Sequence, residues 1–233
     1  MIESLREALA PLTVITGHYG VGKTNFALNL VLDLARAGRE VCLVDLDIVN
    51  PYFRSSEYRD LLEPAGIRLV APVMANSSLD TPSLSAAVDG VIDWAQCGEN
   101  RIAVIDVGGD DAGATALGRY AERISKTTYA LIYVVNAYRN LTQDVEDALE
   151  ILGEIELKSG LHVTAVVNNS HLRTETRVET VVDASSFGFD VAKAAGVPLA
   201  AQTTPKQFLD ALGKVISPEK TYPVEMLVKT PWE

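Results

Sequence analysis

The segment from Gly17 to Thr24 constrains the fold of this chain more than any other part of the sequence. It reads Gly-His-Tyr-Gly-Val-Gly-Lys-Thr and matches the pattern G-x-x-x-x-G-K-[S/T]. The apolar run Leu12–Thr16 before it predicts a strand, and the pattern of Lys23–Ala37 predicts a helix. Between a strand and a helix, glycines let backbone N–H groups point inward, and the helix adds its positive end. The sequence therefore predicts a phosphate-binding loop within an α/β fold.

The residues of this loop have distinct expected roles in binding a nucleoside triphosphate. We expect Lys23 to reach the β- and γ-phosphates as a point charge, and the hydroxyl of Thr24 to ligate Mg²⁺. The residues expected to bind the nucleotide here are Gly17, His18, Tyr19, Gly20, Val21, Gly22, Lys23, Thr24 and the adjoining Asn25. A glycine-rich turn that matches the pattern by chance is the alternative, which the flanking strand and helix disfavour.

A second apolar strand, Arg101–Ile105, ends in Asp106 and is followed by a glycine-rich loop. We expect Asp106 to hold Mg²⁺, through a water molecule, and the N–H of Gly109 to reach the γ-phosphate. The alternative for Asp106 is an acid that caps a neighbouring helix. For Asp110 and Asp111, a solvated loop is as good an interpretation as a catalytic role.

Acids also follow the apolar strand Glu40–Val44. Asp47 is a candidate for orienting the attacking water or supporting Mg²⁺, and Asp45 for the same role or for stabilising the loop. Arg54, further along, could reach a phosphate or a partner, or be a surface residue at the start of a helix.

Amide side chains end the late strand Leu161–Asn168. The side chain of Asn169 can both donate and accept hydrogen bonds, so it could pair with the edge of adenine. Turn chemistry is the alternative, because asparagine favours strand ends. No N-K-x-D guanine motif follows the late strands, which favours ATP over GTP.

Strands and helices alternate along the whole chain. The predicted strands are Leu12–Thr16, Glu40–Val44, Ile67–Ala71, Arg101–Ile105, Thr128–Val135, Leu161–Asn168 and Val197–Ala200. The predicted helices are Lys23–Ala37, Arg54–Leu62, Ser83–Ala95, Ala114–Ser125, Thr142–Ser159, Glu175–Ala195 (with a break at Gly188) and Pro205–Leu212. Several strands are apolar throughout, as in strands covered on both faces. We therefore predict a doubly wound, mostly parallel sheet with helices on both faces.

This pattern predicts one nucleotide-binding domain over residues 1–233. Its core spans about 12–212, and residues 213–233, where prolines recur, are predicted to form an irregular C-terminal tail.

Charge and composition narrow the range of partners. The net charge is −11, and no run of Lys or Arg provides the basic surface that nucleic acids or acidic membranes require. No apolar segment is long enough for a membrane helix, and the N-terminus does not resemble a secretory signal, so we expect a soluble, cytoplasmic protein. Cys42 and Cys97 are far apart, which argues against a disulfide framework, a zinc site or a metal-cluster carrier.

Taken together, the loops resemble those of the MinD/ParA/nitrogenase-iron-protein class of P-loop ATPases, whose variant Walker A motif is K-G-G-x-G-K-[S/T]. The resemblance extends from about Leu12 to Leu212 and rests on Gly17–Thr24, Asp45–Asp47, Asp106–Gly109 and Asn169–Ser170. Within the class, the chain is similar to bacterial and archaeal ATP-binding proteins that carry G-H-[Y/F]-G-x-G-K-T and D-L-D-I-V-N-P-Y-F-R. The second segment corresponds here to Asp45–Arg54.

The resemblance implies a P-loop NTPase fold, ATP and Mg²⁺ as ligands, and dimers with nucleotide at the interface. It implies that Asp47 supports hydrolysis, that Asp106 is the acid of a nucleotide-sensing loop, and that Asn169 contacts adenine. One position departs from the class: His18 replaces the lysine that reaches the partner's nucleotide, and Tyr19 replaces a glycine. Neutral histidine does not carry the charge of that lysine.

Two functions fit these features. The first is a cytoplasmic ATPase that acts as a nucleotide-dependent switch on a protein partner, with ATP and ADP states that differ in the loops 45–52 and 106–111. The second is an ATP-dependent ligase or kinase for a small molecule, of the dethiobiotin-synthetase-like type, with a substrate pocket formed by Tyr52, Arg54 and Asp111.

Overall fold

A computed structural model describes residues 1–47, 58–71, 81–109, 111–140, 142–212 and 216–228. The predicted site residues Tyr52 and Arg54, the loop residue Asp110 and the first part of the predicted helix 54–62 lie outside the described residues.

The described strands form one parallel sheet. They are Leu12–Thr16 (β1), Glu40–Leu46 (β2), Arg68–Val70 (β3), Arg101–Val107 (β4), Tyr129–Val135 (β5), Ala165–Asn168 (β6), Leu199–Pro205 (β7) and Thr221–Val224 (β8). Their order across the sheet is β3-β2-β4-β1-β5-β6-β7-β8. Every pair of neighbours is parallel, so the predicted α/β P-loop fold is confirmed.

The described helices connect these strands. They are Glu3–Glu7 (α1), Lys23–Arg36 (α2), Arg59–Leu62 (α3), Thr81–Gln96 (α4), Asp111–Gly118 (α5), Ala121–Ile124 (α6), Val145–Ser159 (α7), Val178–Asp183 (α8), Ser185–Ala195 (α9) and Leu209–Leu212 (α10). Local signals set several ends. For example, the carboxylate of Asp144 accepts a hydrogen bond from the Asp147 N–H and starts α7, and Gly160 ends it in the left-handed conformation. None of the described helices is long and apolar enough to cross a membrane.

The sheet is buried on both faces, which explains why its strands are apolar throughout. On one face, β1 residues such as Val14 pack with residues of α4, α5, α7 and α9. On the other face, Ile15 and its neighbours pack against α1 and α2, with Phe26 fully buried. Because side chains alternate along a strand, adjacent residues enter different cores.

The central strand β1 lies between β4 and β5. The connection after β1 runs toward the β3 edge of the sheet, whereas the connection after its neighbour β4 runs toward the β8 edge. Such a reversal opens a crevice beyond the carboxyl ends of the strands, where ligands bind in open α/β sheets. The loops after β1, β2, β4, β5 and β6 meet at that edge, and these loops contain the predicted site residues.

Two predicted helices are each divided in the structure. The segment 114–125 forms α5 and α6, separated near Tyr120, rather than one helix. The segment 175–195 is interrupted at Ala184, not at Gly188 as predicted. Gly188 lies inside α9 because that helix passes very close to β6. A Cβ atom there would lie 2.3 Å from the Cβ of Asn168.

The C-terminal tail is also more ordered than predicted. Residues Thr221–Val224 form β8 at the edge of the sheet, and the chain then runs along α2. The side chain of Asn29 donates to the carbonyl of Glu225 and accepts from its N–H, at 2.9 and 2.8 Å. Asn25 accepts from the N–H groups of Leu227 and Val228. The side-chain amides of Asn25 and Asn29 thus bind backbone groups of the tail beyond β8 that have no strand partner.

Candidate functional site

The phosphate-binding loop takes the conformation that its glycines were expected to allow. Gly22 has φ +90° and precedes the first residue of α2, Lys23. A Cβ at Gly22 would lie 2.3 Å from the amide nitrogen of Asn169, so both conformation and space require glycine here. The Lys23 ammonium donates to the carbonyl of His18 at 3.0 Å, which folds the side chain back over its own loop.

Thr24 and Asp106 come together from separate elements. The Thr24 hydroxyl, in the first turn of α2, donates to Oδ2 of Asp106 near the end of β4 at 2.8 Å. Asp106 is buried. A hydroxyl and a carboxylate at this spacing are the hard oxygen donors that Mg²⁺ prefers, and bound phosphates and waters would complete its shell. The two residues therefore fit a magnesium ion.

Asp45 and Asp47, at the end of β2, lie beside this pair. In the register of the sheet, Asp45 stands directly across from Asp106 on the neighbouring strand. Asp45 is fully buried, and its carboxylate accepts a hydrogen bond from the Asp47 N–H at 3.0 Å. This contact fixes the turn that places Asp47 in the lining of the cavity described below.

Gly109, after β4, packs against the phosphate-binding loop. A Cβ at this position would lie 2.5 Å from the ammonium of Lys23 and 2.6 Å from the Cα of Tyr19. The loop after β4 can therefore touch the phosphate-binding loop only because residue 109 lacks a side chain. A conformational change in one of these loops would therefore require the other loop to move.

A cavity of about 310 Å³ joins these elements, a volume typical of small-ligand sites. Its lining includes most of the predicted site residues: Tyr19, Gly20, Val21, Gly22, Lys23, Thr24, Asn25, Asp47, Gly109 and Asn169. Sequence reasoning gave no role to six further lining residues: Asn136, Arg139, His171, Arg173, Met226 and Val228. Gly17 and His18 instead line a neighbouring cavity of about 450 Å³, together with α5 and α7 residues such as Lys158.

The location of part of this set follows from the sequence, although the residues had no assigned role. Asn136 and Arg139 follow an apolar strand, and His171 and Arg173 follow another, so all four lie at the carboxyl edge of the sheet. Met226 and Val228 carry no such signal, because only the path of the tail brings them to the cavity.

The two asparagines predicted to bind nucleotide both make structural contacts. The amide group of Asn169 donates to the carbonyl of Val21 at 2.7 Å, and its oxygen accepts from the Thr203 hydroxyl at 2.5 Å. The Asn25 side chain holds the tail. Asn169 therefore braces the phosphate-binding loop, and the side chain of Asn25 holds the C-terminal tail beside the cavity.

His18 is neutral at neutral pH. Burial, followed by the positive charge of Lys23, lowers its pKa below the usual value of 6.5, although Glu154 opposes this shift. It therefore supplies no cationic group at the position where the class motif has lysine.

His171 is a buried residue of the cavity lining and is also neutral. Its Nδ1 accepts from the Arg173 N–H at 3.4 Å, so its Nε2–H donates to the side-chain oxygen of Asn169 at 3.1 Å. Burial, then the charges of Arg139 and Arg173, lower its pKa to about 4. Protonation would place a second N–H against that of Arg173.

This histidine should make stability depend on pH. Because the folded-state pKa is depressed from 6.5 to about 4, its contribution is fully present above pH 6.5 and is lost as the pH falls toward 4. We expect wild type to lose up to about 3 kcal/mol more unfolding free energy over that range than His171→Gln. Urea denaturation at a series of pH values measures this difference, and parallel pH profiles would contradict the prediction.

A family model for the CobQ/CobB/MinD/ParA nucleotide-binding domain matches residues 12–177. This range includes β1, the phosphate-binding loop, the loop after β4, and β6. The chain belongs to this family. Membership confirms the MinD/ParA-like resemblance and shows that this is a nucleotide-binding P-loop protein. A search of curated proteins found no match.

Solved structures share the fold at low sequence identity. They include the signal recognition particle 54 kDa protein of Aeropyrum pernix with GDP (TM-score 0.56, 17% identity, 82% of this chain and 40% of that one). FtsY of Mycoplasma mycoides has a TM-score of 0.55, with 15% identity over 81% of this chain and 58% of its own. FtsY of Thermotoga maritima has a TM-score of 0.55, with 15% identity over 82% and 62%. The chain thus spans about half the length of these neighbours.

Proposed function

We propose that this protein is a cytoplasmic, Mg²⁺-dependent ATPase that acts as a nucleotide-dependent switch on a protein partner. The observation that carries the proposal is the hydrogen bond between Thr24 and Asp106, which unites the phosphate-binding loop with the end of β4. Lys23 and Asp47 line the cavity beside this pair. Phosphoryl transfer depends chiefly on positioning and on charge stabilisation, and these residues supply both.

Each residue has one part in this proposal. Lys23 and the backbone N–H groups of the loop bind the phosphates, while Thr24 and Asp106 hold Mg²⁺, which neutralises charge on the transferred group. Asp47 orients the attacking water. Gly109 reports the presence of the γ-phosphate, because the loop that contains it already rests on Tyr19 and Lys23.

The conformational change between nucleotide states would be transmitted through the contact of Gly109 with Tyr19 and Lys23. Loss of the γ-phosphate after hydrolysis removes the group that the loop after β4 senses, and α5 begins directly after that loop at Asp111. A partner that contacts α5 would therefore distinguish the two nucleotide states. The family resemblance adds a homodimer as the proposed assembly, which light scattering with and without MgATP would test.

Base selectivity supplies the first test. No N-K-x-D guanine motif is present in the sequence, whereas the signal recognition particle neighbour was solved with GDP, so adenine and guanine are the two candidates. We expect titration calorimetry to show that MgATP binds at least tenfold more tightly than MgGTP, and that EDTA weakens ATP binding. Tighter binding of MgGTP would overturn the adenine assignment, and binding of neither nucleotide would overturn the proposal.

A second candidate is an ATP-dependent ligase or kinase for a small molecule. It is favoured by the cavity of about 450 Å³ that adjoins the nucleotide cavity and shares Tyr19 and Gly109 with it. An acceptor there would lie beside the terminal phosphate. Phosphate release from ATP separates the two functions: a switch ATPase turns over alone, whereas a ligase or kinase stays silent until its substrate is added.

A further inference from the structure

The loop between β5 and α7 is held firmly against the nucleotide cavity. The N–H of Arg139 donates to the carbonyl of Asn136 at 3.1 Å, and the carbonyl of Arg139 accepts from the N–H of Thr142 at 3.2 Å. The Asn136 side chain donates to the His171 carbonyl at 3.2 Å and accepts from the Tyr138 N–H at 2.9 Å. The backbone of Arg139 is thus placed by contacts with its own loop and with the loop after β6.

The side chain of Arg139 runs beside the phosphate-binding loop. Its Cδ and Nε atoms lie 3.8 Å from the point where a Cβ at Gly20 would stand, which is van der Waals distance, so the side chain lies directly beside the loop. Arg139 lines the same cavity as Lys23 and Asp47. Among the described residues, its buried Nε finds no hydrogen-bond acceptor. A buried donor without an acceptor is costly, and a ligand oxygen would satisfy it.

The charge balance of the cavity also favours a ligand oxygen beside Arg139. A nucleoside triphosphate brings several negative charges, of which Mg²⁺ and Lys23 neutralise only part. His18 is neutral, as shown above. The guanidinium of Arg173 is held by the carbonyl of Val228 in the tail. Arg139 is therefore well placed to supply a further cationic group beside the phosphate-binding loop.

We propose that Arg139 is a phosphate-binding residue of this chain, whose guanidinium group donates to the phosphate oxygens of the bound nucleoside triphosphate. This inference rests on the proposed function. An arginine suits the role because its planar, permanently charged fork can form two parallel hydrogen bonds to a phosphate. The binding site would thus carry a second cation from its own chain, on a loop distinct from the phosphate-binding loop.

Inorganic tripolyphosphate tests this assignment, because it carries the phosphates without base or ribose. We expect Arg139→Ala to bind both MgATP and magnesium tripolyphosphate about 10- to 100-fold more weakly than wild type by calorimetry. Arg139→Lys should recover part of the loss, since it restores the charge but not the fork. Arg119→Ala, which removes an exposed arginine outside the cavity, should bind both ligands as wild type does.

The outcomes separate the inference from the function on which it rests. If wild type binds both ligands and Arg139→Ala binds them equally well, the inference is wrong and the proposed function stands. If Arg139→Ala weakens ATP alone, the side chain faces base or ribose, and the phosphate assignment is overturned. If wild type binds neither ligand, both proposals fail. If circular dichroism shows that Arg139→Ala does not fold, Arg139→Lys takes its place in the test. An affinity of Arg139→Lys equal to that of wild type for both ligands would then overturn the inference.

Discussion

Replacing Lys23 with alanine is expected to weaken MgATP binding about 10- to 150-fold. The ammonium group lies over the phosphate-binding loop, where it donates to the carbonyl of His18, and the side chain is mostly buried. A phosphate contact from a charged donor in such a site contributes about 1.5–3 kcal/mol, and alanine cannot replace it. Because His18 is neutral, no neighbouring residue within the motif compensates for the loss.

Titration calorimetry with MgATP measures this change directly. Lys126→Ala is the matched control, because it removes an exposed lysine whose ion pair with Glu122 lies within one helical turn and contributes little. The control should bind ATP as wild type does, and both variants should melt within a few degrees of wild type. Equal ATP affinity in wild type and Lys23→Ala would remove the central claim about this loop.

Replacing Asp47 with alanine is expected to leave MgATP binding within about threefold of wild type, while turnover falls about 100-fold or more. Asp47 lines the cavity, and its N–H donates a hydrogen bond to the carboxylate of the buried Asp45. A side chain that orients or activates the attacking water typically contributes a factor of 10²–10⁴. The magnesium pair, Thr24 and Asp106, is untouched by this change.

Phosphate release at saturating MgATP, with calorimetry on the same preparations, separates the two effects. Asp60→Ala removes an exposed acid at α3 and serves as the control, with unchanged binding and turnover. If Asp47→Ala lost binding and turnover together, Asp47 would act on Mg²⁺ or on the phosphates rather than on water. If Asp47→Ala turned over ATP at the wild-type rate, Asp47 would have no catalytic role.

The C-terminal tail packs beside the nucleotide cavity. The tail reaches the nucleotide cavity through Met226 and Val228, while Asn25 fixes it next to Thr24. Ligand binding and the packing of the C-terminal segment therefore involve adjacent residues of α2. Residues that hold the tail are accordingly poor choices for variants meant to report on chemistry alone.

The sequence by itself determined the elements whose signals are local. Gly17–Thr24 specified a strand–loop–helix unit, because glycines and a following helix are sufficient to form an anion-binding turn. The apolar strands predicted a sheet buried on both faces, and Asp47 and Asp106 were placed at its carboxyl edge by chain order alone. These features depend on neighbours along the chain, so they can be read from it.

Only the tertiary structure determined which residues the predicted site residues and the tail contact. The sequence predicts that Asn169 contacts adenine, and only the structure shows that its amide group also donates to the carbonyl of Val21, because the loops after β1 and β6 pack together. The tail was predicted to be irregular, yet it adds β8, because residues 221–224 pair with β7 and the side chains of Asn25 and Asn29 hold the residues that follow β8. Arg139 likewise lies beside Gly20. Such contacts depend on packing between remote segments, which periodicity and motif spacing do not specify.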